Sequence, residues 1–341
     1  GNDTLDGGEN SDLLHGGAGS DSFVAQQIAN YSTYDTVGDF DLASDKLDVR
    51  ALGIGDLDTV KRLAAGDQAQ TLRVVGASGY VAETALLGTP LASLGAANVV
   101  LSAATGADAK TLSGYGDLFG GLGGDTLTAS ASSSYANRLF GEQGNDTLDG
   151  GAGDDLLVGG GENDKLLGGG NEDTLEGGSG TDTLDGGEDS DILSGGADAD
   201  VFVVQASSDG TVRDQITDFS LAQDRLDVRA LGISDLDTLK RLVSGNGDGF
   251  TTSVDSYYTI ETRLAGVTVA SLTSTNVILS AATTADVKTL SGYGDLFGGL
   301  GNDTLTASAS SSYTNRLFGE QGNDTLDGGA GYDLVVGGAG N

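Results

Sequence analysis

Seven nine-residue units follow one another without a gap from Gly141 to Val203. Each places an aspartate at its sixth position: Asp146, Asp155, Asp164, Asp173, Asp182, Asp191 and Asp200. Each places an apolar residue at its eighth: Leu148, Leu157, Leu166, Leu175, Leu184, Leu193 and Phe202. Gly-Gly opens six of the seven, and Gly141-Glu142 opens the first. The pattern returns near the start, where Asp3, Asp12 and Asp21 accompany Leu5, Leu14 and Phe23, and near the end, where Asp324 and Asp333 accompany Leu326 and Val335. Asp125 and Asp303 complete a register of fourteen aspartates. Few folds accommodate such a period. The glycines supply a tight turn that exposes carbonyls, and the last three residues make a very short strand with the eighth side chain inward. Two units then close one turn of a flattened solenoid, so aspartates two units apart stack on each other. A bare column of carboxylates at a strand spacing of about 4.8 Å repels itself. A hard divalent cation between turns reverses the sign, and calcium, with six to eight flexible oxygen ligands, suits the arrangement better than octahedral magnesium.

Composition points the same way. The 341 residues carry 51 acidic against 16 basic side chains, a formal net charge of −35. Nucleic acid and anionic membranes are thereby excluded as natural partners, since both are negative. The 58 glycines favour disorder, yet 38% of the chain is hydrophobic and those residues recur regularly. Something other than a thick apolar core must hold the fold, and metal is the obvious candidate. About ten ions would cancel about 20 negative charges. Each, at 100 times its dissociation constant, would add ~2.7 kcal/mol to the folded state. Without Cys, no disulfide or thiolate site exists. No apolar run approaches the ~18 residues of a membrane span, so no membrane insertion is expected. The sequence holds no Met, begins inside one repeat and stops inside another at Gly340-Asn341, which reads as an excerpt from a longer polypeptide.

A second, longer period encloses the first. Residues 114–128 and 292–306 differ only at Gly124 against Asn302, and Asp48–Ile54 returns as Asp227–Ile233. Two tandem repeats with a ~179-residue period are therefore expected. The predicted organisation is the end of one roll at 1–24, an intervening segment at 25–112, a roll at 113–203, a second intervening segment at 204–290 and a further roll from 291 to 341.

The nonapeptides resemble the RTX family, the hemolysin-type calcium-binding repeats. Units 150–158 and 177–185 match its motif Gly-Gly-x-Gly-x-Asp-x-(apolar)-x at every specified position. The resemblance covers roughly half the chain. It extends to Asp35–Phe40 and Asp214–Phe219, which look like the sequence that ends many RTX blocks. It implies parallel β-rolls that bind calcium between turns, in a protein that leaves a Gram-negative bacterium by type I secretion, unfolded at low internal calcium and folding outside. The expected fold class is therefore all-β dominated, with β-roll blocks alternating with small mixed β/α capping domains. The fourteen aspartates are the expected metal ligands. Departures exist: position four is Asn10, Glu162, Asn171, Asp189 or Asp198 in some units, which predicts a distorted turn or an added ligand. The segments 129–140 and 307–318 are longer than a nine-residue unit, with Asn137 and Asn315 at the aspartate position, which predicts a bulged turn and a weakened or missing ion.

Catalytic readings fare badly. His15 is the sole histidine, outward at position nine, and Ser194 replaces it in the other copy. The Ser-rich run 129–134 has no base beside it, and metalloprotease, cysteine-nucleophile and phosphate-loop motifs are absent. The chain is thus expected not to be an enzyme. In the second intervening segment, Ser234–Asp237 resembles a capping box opening a short helix through Leu239, Leu242 and Val243. Strand-like runs follow at 258–264 and 267–271. These segments are expected to cover the exposed ends of the rolls. The functional expectation is an extracellular calcium-binding scaffold, a segment of a larger adhesin, surface layer or filament, with copies of itself as a candidate partner. The rival is a secretion and folding module attached to a secreted protease, lipase or epimerase.

Overall fold

The chain, seen in a computed structural model, is described over residues 1–26, 31–65, 70–76, 79–130, 135–205, 211–253, 259–307 and 314–340. It divides into two compact units, Gly1–Lys165 and Leu166–Asn341. Both are built almost wholly of short strands. Among the described residues each unit holds one α-helix of six residues, Leu57–Arg62 or Leu236–Arg241.

In the first unit the opening nonapeptides give β1 (Thr4–Asp6), β2 (Leu13–Leu14) and β3 (Ser22–Val24), laid alternately into two sheets. β1 pairs with β3 in parallel and sets Leu5 beside Phe23, the offset of one two-unit turn. Both sheets then continue into the intervening segment. β4 (Thr33–Val37) adds to β2, and β5 (Lys46–Asp48) adds to β3, again in parallel. After them come α1 (Leu57–Arg62), β6 (Ala64–Ala65), β7 (Thr71–Val75), β8 (Val81–Leu86) and β9 (Val99–Val100). β8 lies parallel to β4 and β9 parallel to β5, whereas β7 turns back antiparallel on β8 and β6 on β7. That antiparallel ribbon closes an edge that parallel stacking would leave open.

A further block follows within the unit. β10 (Ala109–Thr111), β11 (Asp117–Gly121), β12 (Thr126–Thr128), β13 (Arg138–Gln143), β14 (Thr147–Ala152) and β15 (Leu156–Gly161) alternate between two parallel sheets. Leu139 stacks on Leu157, two standard units on, whereas Leu127 stacks on Leu148, a longer step along the chain. The longer step absorbs the extra length of 129–140 without breaking the register. Residues 131–134 of that segment and 308–313 of its counterpart lie outside the described residues, so the bulged turn expected there is not described.

The second unit repeats the pattern. Thr183–Gly187, Val201–Val203, Arg225–Asp227 and Val277–Ile278 form one parallel run. Thr174–Ser179, Ile192–Ala197, Thr211–Ile216 and Thr259–Leu264 form the other, closed by the antiparallel Gly249–Ser253 and Val243–Ser244. Its last block comprises two three-stranded parallel sheets between Val287 and Val336. The parallel β-roll expected of the repeats is the observed architecture.

The turns explain the glycines. Positions two and four of the units between Gly141 and Val203 have positive φ whatever residue stands there. Glycine takes these angles freely, Asn and Asp at modest cost, and Glu less readily. Position four therefore keeps its left-handed turn at Glu162, Asn171, Asp189 and Asp198, with φ between 71° and 79°, and at Asn10 with φ 77°. The expected distortion does not occur.

Inward leucines fill the rolls: Leu148, Leu157, Leu166, Leu175 and Leu184 are fully buried. Leu326 is half-buried and Val335 exposed. Phe119 and Phe140, at the outward ninth position, stack at 5.4 Å and pack into a cluster with Ile54, Val60 and Leu63 of the intervening segment. Phe297 and Phe318 repeat the stack at 5.4 Å. Two local expectations need correction. The helix Leu236–Arg241 is capped by Asp235, whose carboxylate accepts from the Asp237 and Thr238 N–H groups, and not by Ser234. The run 267–271 ends in a 3-10 turn, Val269–Ser271, because Ser271 and Leu272 donate back to Thr268 and Val269. The strand expected from residue 258 is present as Thr259–Leu264, and residue 258 lies outside the described residues.

Candidate metal centre: an aspartate ladder

The sixth-position side chains form hydrogen-bonded ladders. In each rung one carboxylate oxygen accepts from the backbone N–H of the sixth-position residue one turn earlier. Asp21 accepts from Asp3 at 2.8 Å, Asp125 from Asp108 at 2.6 Å, Asp146 from Asp125 at 2.7 Å and Asp164 from Asp146 at 2.8 Å. In the second unit Asp191 accepts from Asp173, Asp200 from Asp182, Asp303 from Asp286 and Asp324 from Asp303, all at 2.7–2.9 Å. Asn137 belongs to the same ladder: its side-chain oxygen accepts from Gly116 and its N–H donates to Asp155. Asn315 likewise donates to Asp333 at 2.9 Å. At Asn137 asparagine thus preserves the rung but removes its charge, whereas the buried side-chain oxygen of Asn315 has no hydrogen-bond partner.

The second carboxylate oxygen is the informative atom. In Asp12, Asp21, Asp125, Asp146, Asp191, Asp200, Asp303 and Asp324, Oδ2 is buried without a hydrogen-bond partner. Uncompensated buried carboxylate oxygens cost several kcal/mol each, so a column of them calls for a partner. The glycine at position one shows where such a partner fits. A Cβ on Gly120 would collide with Asp125 Oδ2 and with the Gly141 carbonyl oxygen. One on Gly141 would meet Asp146 Oδ2 and Gly159 O, and Gly177, Gly298 and Gly319 repeat the arrangement. Carboxylate and carbonyl oxygens converge there on space left by the missing side chain. This all-oxygen donor set suits a hard cation. Among the described residues no three His, Asp or Glu side chains gather as a metal cluster. Desolvation pushes Asp146 and Asp155 up to about 6 and Asp191 and Asp200 up to about 7.

Thirteen of the fourteen expected aspartates stand in these ladders by side chain or backbone as buried or half-buried residues, while Asp3 contributes its N–H and leaves its carboxylate exposed. The ladders also run further than the consensus. Asp35 accepts from Asp12 and Asp45 from Asp21; Asp214 accepts from Asp191 and Asp224 from Asp200. Burial raises Asp214 to about 8. Asp35 and Asp214 sit in the block-ending sequences. Asp45 and Asp224 were hidden because each lies 24 residues beyond its partner, out of step with the two-unit turn. His15 pairs with Asp39 at 3.7 Å, and Ser194 donates to the equivalent Asp218 at 2.6 Å, so both serve the same local contact.

A second constellation joins each intervening segment to the roll after it. Glu142, at position two with φ 76°, is buried and accepts from Gly55 N–H at 2.6 Å. Burial raises its carboxyl to about 8. Glu320, φ 67°, accepts from the N–H and hydroxyl of Ser234. Alongside, Arg138 makes a two-pronged pair with buried Asp117 and donates to Arg73 O, while Val75 N–H donates to Asp117. Arg316, Asp295, Thr251 and Ser253 repeat it.

Glycine turns stacked through carboxylate ladders define parallel β-rolls whose turns gather carboxylate and carbonyl oxygens. A family model of the RTX calcium-binding nonapeptide repeat, four copies long, matches residues 1–25, 132–166, 167–202, 295–311 and 309–341. The matched segments are therefore RTX nonapeptide repeats, a repeat type that binds calcium. Among solved structures it is similar to the AlgE6R3 subunit of the Azotobacter vinelandii mannuronan C5-epimerase, determined in solution. Identity is 24%, over 54% of this chain and 84% of that one, with a TM-score of 0.21. No curated protein matches. Among the described residues no helix is long and apolar enough to cross a membrane.

Proposed function

We propose that the protein is a calcium-stiffened extracellular scaffold, a segment of an adhesin, surface layer or filament, and not an enzyme. The fourteen sixth-position aspartates, extended by Asp35, Asp45, Asp214 and Asp224, hold about ten calcium ions together with the turn carbonyls. The bound ions neutralise the buried Oδ2 column and so let the rolls fold after secretion. The neutral Asn137 and Asn315 rungs weaken or lose their ions. The five-part organisation, with rolls at 1–24, 113–203 and 291–341 and intervening segments at 25–112 and 204–290, supplies serial modules, and further copies of the chain are candidate partners in a fibre or layer.

One observation carries this reading. Both intervening segments are clamped to the following roll by the same buried contacts, Glu142 with Asp117–Arg138 and Glu320 with Asp295–Arg316. A clamped joint passes tension from module to module, which a scaffold needs and a secretion tail does not. Single-molecule stretching of the chain in millimolar calcium tests it. Segment and following roll should yield together, at a force that falls on chelation. Separate yielding, or a force indifferent to calcium, would count against the scaffold and leave the rival, a module that assists export of a secreted enzyme.

A further inference from the structure

The strand that leads into each later roll, Ala109–Thr111 or Val287–Thr289, carries a lysine where the repeat wants a leucine. Lys110 stands in register with Leu127, and Leu127 with Leu148, so it occupies the first position of an inward-facing column. Lys288 stands likewise in register with Leu305 and Leu326. A lysine at the end of a leucine column is costly unless its ammonium finds oxygens. Lys110 Nζ finds three: the Phe119 carbonyl at 2.6 Å, the Gly120 carbonyl at 3.0 Å and Asp108 Oδ2 at 3.3 Å. Lys288 Nζ takes the Phe297 carbonyl at 2.7 Å and Asp286 Oδ2 at 3.1 Å.

These oxygens are those of a ladder rung. Asp108 is the sixth-position residue of its turn, since its N–H donates to Asp125, and Gly120 is the position-one glycine of the next. In the following turns the same two groups, a sixth-position carboxylate and a position-one carbonyl, converge as Asp125 with Gly141 and Asp146 with Gly159. At the first turn the pair is bridged by the ammonium. We propose that Lys110 and Lys288 are tethered cations that fill the first cation position of their rolls. The first turn consequently orders without calcium and forms the template on which the calcium-dependent turns stack. Neighbouring chemistry agrees, because the other column of that turn carries Gly116 and Asn137 in place of aspartate. Where the carboxylates lapse, the need for a divalent ion lapses too.

The proposal rests on the calcium reading of the ladder, and hydrogen exchange on the full chain separates the two. The reporters are Leu112 N–H, bonded to Thr128 O, and Thr126 N–H, bonded to Asp108 O. In chelator they should exchange about tenfold more slowly than amides in 147–161. Lys110→Met should abolish that difference in chelator, and Lys110→Arg should retain it, which separates loss of the cation from general misfolding. Calcium should restore protection at 147–161 in all three proteins. Reporters that exchange in chelator as fast as 147–161, or stay protected in Lys110→Met, would overturn the tethered cation and leave the calcium reading intact. Protection of 147–161 that survives chelation would overturn the calcium reading and the proposal with it.

Discussion

At the residue scale the decisive object is a carboxylate with one oxygen satisfied and the other stranded. Asp191 accepts from Asp173 N–H through one oxygen and buries the other without a partner. Without metal, burial holds its carboxyl at about 7 and that of Asp200 at about 7, against 3.8 when free. A raised folded-state value means that the metal-free fold keeps protons the unfolded chain has released. Stability from these groups is therefore complete below pH 4 and is lost as pH climbs towards 7. In chelator, strand content should rise as pH falls from 7 to 4, and calcium uptake near pH 6 should release protons, measurable by circular dichroism and by pH-stat. Asp191→Asn separates the two roles. It keeps an acceptor for the Asp173 N–H and removes the buried charge, as Asn137 does naturally. Denaturation in chelator should show the variant no less stable than the parent, while calcium should stabilise it less than the parent.

At the element scale, such short strands stay in place because turns and joints fix them. The joints make sharper predictions than the strands. Arg138→Ala leaves the buried Asp117 carboxylate facing Val75 N–H alone, and should cost about 3 kcal/mol in urea denaturation with calcium present. Arg138→Lys should recover only part, since one ammonium cannot replace the two-pronged contact. Glu142→Gly sets two effects against each other. Relief of a left-handed glutamate is worth about 1–2 kcal/mol, but Gly55 N–H is left without an acceptor in a buried site, a larger loss of about 3 kcal/mol. The variant should be less stable, although glycine is what the repeat prescribes. The rolls were legible from the repeat because stacked turns depend on local chemistry that recurs in every unit. The joints were not, since Glu142 meets Gly55 across 87 residues and looks in sequence like a lapse from Gly-Gly. Lys110 was hidden for the same reason. Its role appears only when Phe119 and Gly120 turn their carbonyls toward it.

At the scale of the whole molecule, the net charge of −35 and the 58 glycines oppose compaction, and leucine columns one residue wide do little to offset them. Continuation of both sheets into the intervening segments means that rolls and segments share edges, as β3 with β5 and β2 with β4. Chelation should accordingly loosen the strands at Thr33–Val37 and Lys46–Asp48 as well as the nonapeptides. The most direct test of the central claim is a crystal structure grown in millimolar calcium, with an anomalous map recorded for the ion. The account predicts peaks within coordination distance of Oδ2 of Asp125, Asp146, Asp191, Asp200 and Asp303, and none at Lys110 or Lys288. The same backbone with no density beside those oxygens would contradict it.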